Sequence, residues 1–200
     1  MRRITVVSAL LTCAMFGPGI DGCFALPLMP PRAELHAAHL RFKQPTAVPR
    51  GYYELCKAGS PVCGTTRARG VEANADGQVV LTSSLIQALR TANSTVNHQM
   101  QSRPDGAQDS WSVGGGSGDC EDFALTKKMR LMQAGFPSKA LLIALARTPS
   151  GENHAVLIVR TDQGDFALDN LTDSLKGWDQ TGLRWTMVQS PSSEWSWFAL

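Results

Sequence analysis

The chain has 200 residues, a formal net charge of +2 at pH 7, and 43% hydrophobic against 18% charged residues. That composition excludes a disordered polymer and leaves room for one domain with its own core. With no Lys/Arg cluster, it also argues against nucleic acid as a partner.

Residues 1–25 read as a secretory signal peptide. Arg2 and Arg3 form a basic start, residues 4–16 an apolar run, and Cys23 and Ala25 the small positions of a cleavage site. The run is too short for a comfortable membrane span. An uncleaved anchor is one alternative. A lipid-modified Cys23 is another, although Asp21 degrades the motif Ile20-Asp21-Gly22-Cys23. The expected location is periplasmic or secreted. Past residue 25 the cysteines are Cys56, Cys63 and Cys120. In an oxidising compartment Cys56 and Cys63 can close a small local loop, which leaves Cys120 unpaired. Such a thiol is either reactive or a buried structural cysteine, and spacing does not choose between them.

Residues 26–50 hold five prolines and read as an extended N-terminal arm or linker. His36 and His39 lie in it without the further ligands a metal site needs. The domain is expected over 51–200. Its start, 51–80, reads as loop-rich around the Cys56/Cys63 turn. Thr82 or Ser83 then caps a helix whose apolar stripe is Leu85, Leu89, Ala92 and Val96, with His98 a surface or packing residue near its end. Residues 102–118 form a long connection with Asp105, Asp109, Trp111 and several glycines, a length often tied to function.

Asp119 is the N-cap candidate of a second helix with Cys120, Glu121 and Asp122 in its first turn. Leu125, Met129 and Met132 form its stripe, and Gly135 and Pro137 mark its end. Three strands are expected at 140–146, 154–160 and 165–171. The middle run is apolar on both faces and belongs inside a sheet. Residues 161–164 fit a hairpin turn. Trp178, Trp185, Trp195 and Trp197 read as core and strand-pair residues, with a carbohydrate platform as the sharper alternative.

A cysteine opening a helix, followed by His154 and Asp169 on successive strands, is the layout of a thiol nucleophile, its base and an orienting acid. A hairpin loop at 161–164 places His154 opposite Leu171. Asp169 is then a diagonal neighbour on the same face, and a loop one residue longer or shorter moves it to the other face. The backbone N–H of Cys120 is one oxyanion donor, and Trp111 or a polar neighbour in the preceding loop is a candidate second. Asp119, Glu121 and Asp122 crowd the thiol with negative charge, which opposes thiolate formation. A bound cation reverses that effect, and these carboxylates, near Asp105 and Asp109, offer hard oxygen ligands for calcium. The competing reading is that Asp119 and Asp122 simply cap the helix.

The segments Asp109-Ser-Trp111, Gly118-Asp-Cys-Glu-Asp-Phe-Ala124, Gly135-Phe-Pro137, Asn153-His-Ala-Val-Leu157 and Leu168-Asp-Asn-Leu171 together resemble the bacterial transglutaminase-like cysteine peptidases, the group that includes the LapG-type periplasmic proteases. The resemblance covers roughly residues 45–200. It implies an α+β, papain-like or transglutaminase-like fold, with the nucleophile at a helix N-terminus packed on an antiparallel sheet. It implies Cys120 as nucleophile, His154 as general base and acid, Asp169 as orienting acid, and calcium beside Asp119, Glu121 and Asp122. It further implies a protein substrate of the kind LapG-type members cut, a large surface adhesin whose release controls biofilm attachment, and restraint by an inner-membrane cyclic-di-GMP receptor. Two other readings stand beside the peptidase: acyl transfer on the same thiol (cross-linking or deamidation), and a non-catalytic binding module. An intact Cys120, His154 and Asp169 weighs against the module.

Overall fold

The computed structural model describes residues 35–65, 70–106 and 110–200. The segment expected to be a signal peptide at 1–25, the first part of the arm and Asp109 lie outside the described residues. Among the described residues no helix is long and apolar enough to cross a membrane.

Three apolar runs build the centre of a sheet. They become β4 (Leu141–Arg147), β5 (Asn153–Thr161) and β6 (Gly164–Leu168). Short strands extend it: β1 (Pro45–Thr46), β7 (Lys176–Gly177), β8 (Arg184–Gln189) and β9 (Trp197–Ala199). The order is β1-β9-β8-β4-β5-β6-β7, and every neighbouring pair is antiparallel. The double-sided apolar run thus lies inside the sheet, as its composition predicts.

Alternation sorts the strand residues between two cores. Leu141, Ile143, Leu157, Val159, Phe166 and Leu168 face one, with Leu89, Leu125, Leu131 and Trp197. Leu142, Ala144, Val156, Ile158, Ala167 and Val188 face the other, with Leu40. Phe42, Trp178 and Trp185 pack against this second core. Residues from the arm therefore cover a sheet face rather than hang free. Ala37 N–H donates to Gln163, Asp165 N–H to Ala38, and Leu40 N–H to the Asp165 carboxylate at 2.6 Å. Gly164, at φ +110°, has no room for a side chain against Ala37.

The first core is covered by helices. Thr82 caps α2 (Ser83–Gln99) by accepting the Leu85 N–H at 3.1 Å. Leu85, Leu89 and Val96 are buried, and Ala92 is partly so. Helix α3 (Cys120–Gln133) packs on β5 and α2. Between them, β2 (Gln101–Ser102) and β3 (Ser117–Gly118) pair in parallel and pinch the long connection at its base. One expectation needs correcting. The segment read as loop-rich begins with an eight-residue helix, α1 (Arg50–Lys57). Tyr52 and Cys56, four residues apart, bury one of its faces. The Cys56–Cys63 disulfide ties α1 to the turn at Pro61–Cys63. Trp197 is buried edge-on against Tyr52, whereas Trp195 stays 45% exposed beside Tyr53.

Candidate active site

Helix α3 starts at Cys120 because Asp119, in extended backbone, stops the chain one residue earlier. Asp119 and Asp122 form a reciprocal capping box. The Asp122 carboxylate accepts Asp119 N–H at 3.3 Å, Ser112 N–H at 2.7 Å and the Ser112 hydroxyl at 3.1 Å. Gly118 is needed at this point, since a Cβ there would run into the Asp122 side chain. Asp122 thus pins the long connection to the helix start. Burial raises its carboxyl above the ordinary value, against the lowering effect of the Ser112 bonds.

Cys120 is the free cysteine among the described residues, partly buried. Its thiol donates to Glu121 Oε2 at 3.3 Å, and the Ala155 N–H faces the sulfur. Burial and then the Glu121 charge push the thiol from 9.0 up to about 12, with the Ala155 N–H pulling the other way. That rise disfavours the thiolate by about 4 kcal/mol. A helix N-terminus returns ~2 kcal/mol at best. Burial and the Glu121 charge thus both work against the thiolate, and positive charge beside the sulfur would work for it.

Glu121 lies next to two other acids. Ligand oxygens of Asp105, Asp119 and Glu121 all fall within 4.8 Å of one another. That spread suits one calcium ion, whose oxygen ligands sit at about 2.3–2.6 Å from it. Asp119 Oδ1 is buried and has no hydrogen-bond partner among the described residues, so it is available as a ligand oxygen. The expected trio of Asp119, Glu121 and Asp122 is not the one the fold gathers. Asp105 joins Asp119 and Glu121, and Asp122 is turned to Ser112 and its own helix cap.

The second half of the site follows from strand register. Leu157 pairs with Leu168 and Thr161 with Gly164, leaving Asp162-Gln163 as the turn. The ladder ends at Leu168, and Asp169 is the first residue beyond it. His154 Nε2 meets Asp169 Oδ1 at 2.8 Å, with both residues buried. Burial works to raise the Asp169 carboxyl. The His154 bond, the Leu171 N–H and the charges of His154 and Lys127 outweigh it, and hold the carboxyl below its ordinary value. With Nε2 engaged by Asp169, Nδ1 is the ring nitrogen left to exchange a proton. Trp111, the candidate oxyanion donor, packs against Gly51 and edge-on to Tyr52 at 5.8 Å, in the first core.

Sequence reasoning passed over two buried cations on α3. Lys127 and Lys128 follow Cys120 by about two turns, and burial lowers both amines from 10.5 to about 7. The stripe Leu125, Met129, Met132 describes a helix with one buried face. This helix is enclosed by the sheet, α2 and the turn at Pro61–Cys63, so its polar positions are buried as well.

Comparison with known proteins bears on this geometry. Residues 42–200 match the family model of the bacterial transglutaminase-like cysteine proteinases. Calcium-bound LapG of Legionella pneumophila is similar in structure, with a TM-score of 0.51 at 26% identity, over 57% of this chain and 69% of that one. Another structure of the same Legionella protein gives 0.47 at 26% identity over 52% and 63%. No curated protein matches.

Proposed function

The chain belongs to the bacterial transglutaminase-like cysteine proteinase family and has its mixed helix and antiparallel-sheet fold, and from that premise we propose that it is an exported cysteine endopeptidase working through Cys120, His154 and Asp169. The observation that carries the proposal is the 2.8 Å His154–Asp169 contact, formed across the strand next to Ala155, whose N–H faces the Cys120 sulfur.

In this reading His154 Nδ1 takes the Cys120 proton as the sulfur attacks the carbonyl carbon of a peptide bond. A C–S bond forms and the carbonyl π electrons move to oxygen, where the Cys120 N–H is a donor. His154 then gives its proton to the leaving nitrogen. The C–N bond breaks, an amine departs, and a thioester remains. His154 next deprotonates a water, which attacks the thioester, and the released sulfur recovers the proton. Asp169 keeps the imidazole in the required tautomer and stabilises its charged form.

Asp105, Asp119 and Glu121 would hold calcium, which when bound supplies positive charge beside the thiol and offsets the carboxylates that disfavour its ionisation. The likeness to calcium-bound Legionella LapG supports this assignment. The substrate is an envelope protein, a large surface adhesin in the reading that the LapG resemblance supports, with an inner-membrane cyclic-di-GMP receptor as restraining partner and the signal peptide as export route.

The test is N-terminal labelling of an envelope extract treated with the protein or with Cys120→Ala, each with calcium or chelator. New N-termini that require both Cys120 and calcium are expected. Amine incorporation or deamidation without new N-termini would replace peptidase by acyl transferase.

A further inference from the structure

Two donors that take no part in bond-making hold the backbone on both sides of Asp169. Lys127 Nζ donates to the Leu168 carbonyl at 3.3 Å. Asn97 Nδ2 donates to the Asp169 carbonyl at 3.1 Å. These two carbonyls belong to the peptide planes that flank the Asp169 Cα. Each plane turns about one dihedral of that residue, so fixing both fixes the direction of its side chain. Asp169 needs such fixing, because β6 ends at Leu168 and the sheet no longer pairs its backbone.

Helix α2 strengthens the hold just beyond. Asn97 Nδ2 also reaches the Thr172 carbonyl at 3.2 Å and Asp173 Oδ1 at 2.9 Å, and Asn93 Nδ2 reaches Thr172 at 2.8 Å. Lys127 is the costlier member. Its side chain is fully buried, with 0% exposure, and a buried ammonium is expensive unless compensated. The charges that compensate it are those of Asp169 and Asp173. Lys127 also follows Cys120 by seven residues, about two turns along the same helix. One rigid element therefore carries the thiol at its start and the fastening of the acid two turns later.

We propose that Lys127 is a positioning residue: with Asn97 it clamps the Leu168 and Asp169 carbonyls, aims the Asp169 carboxylate at His154, and couples that acid to the helix bearing Cys120. The role in turnover rests on the reading of Cys120, His154 and Asp169 as catalytic. The clamp itself does not, and it is measured without the thiol.

The experiment uses the isotopically labelled full chain carrying Cys120→Ala and follows the His154 Nε2–H proton resonance. Lys127→Met, which keeps length and apolar volume, and Asn97→Ala are added singly. Both should shift or broaden that resonance, with thermal unfolding of each variant measured beside it, because removing Lys127 alone costs stability by leaving the Leu168 carbonyl and the Asp169 carboxylate short of a partner. In the thiol-intact chain, on the envelope protein cut in the labelling experiment, each should lower kcat ~10-fold or more with KM little changed. An unmoved resonance and unmoved kcat in both variants would overturn the proposal. If Lys127→Met does not fold, Asn97→Ala decides by the same two readings. Full turnover by His154→Ala would instead sink the catalytic reading, while the resonance would still report on the clamp.

Discussion

Cys120 bears little structural load. Its sulfur is partly buried, and its bonds are one to Glu121 and one from the Ala155 N–H. Cys120→Ala should therefore abolish turnover and change folding stability by less than ~1 kcal/mol, checked by thermal unfolding beside the cleavage assay. Retained turnover would remove the thiol mechanism. Asp169→Asn tests the other end. It keeps the shape but returns a neutral group to His154 Nε2 and permits the wrong tautomer. kcat should fall by about 10²–10⁴ while KM moves little. An unchanged kcat would reduce Asp169 to a packing residue. This contact was legible in the sequence, because a hairpin loop at 161–164 sets the parity of the residues on its two sides. The acidic trio was legible only in part. An Asp119-x-x-Asp122 spacing is a capping-box pattern as well as a ligand pattern, and the first use removes Asp122 from the second. Asp105 enters through the path of a loop, which no periodicity encodes.

Helix α3 joins the layers through buried lysines. Lys128 Nζ donates to Gln189 Oε1 on β8 at 2.8 Å, and Gln189 Nε2 donates to the Tyr52 hydroxyl on α1 at 2.7 Å. Burial holds the Lys128 amine at about 7, below the 10.5 it has when free. Between those values the unfolded chain binds more protons than the folded one, so stability rises with pH. Cys120, raised from 9.0, acts in the opposite sense only above that value. The unfolding temperature should thus rise between pH 7 and 9, and rise less in Lys128→Met. Equal slopes in the two proteins would show that Lys128 is charged and compensated in the fold. The sequence marks where α3 starts and ends, since caps are local chemistry. It does not mark that α3 is enclosed on several sides, because enclosure depends on elements distant in the chain.

Over the whole molecule the legible part is the centre and the obscure part the rim. β4, β5 and β6 announce themselves as apolar runs. β1, β7 and β9 span two or three residues and exist because a neighbouring strand offers unpaired backbone groups. The arm from Leu35 to Lys43 is proline-flanked and reads as extended, yet Leu40 and Phe42 share the covering of the second sheet face with Trp178 and Trp185. The site sits where these parts meet, at the start of α3 and the ends of β5 and β6. The central claim is that His154 and a cation at Asp105, Asp119 and Glu121 activate a thiol that burial and Glu121 otherwise suppress. It is tested most directly by the rate at which iodoacetamide alkylates Cys120 at pH 7, in the presence of calcium, in the presence of chelator, and in His154→Ala. The expected result is alkylation faster than free cysteine with calcium, and a clear drop on chelation or loss of His154. A rate no faster than free cysteine, indifferent to both, would contradict it and leave a non-catalytic member of the family.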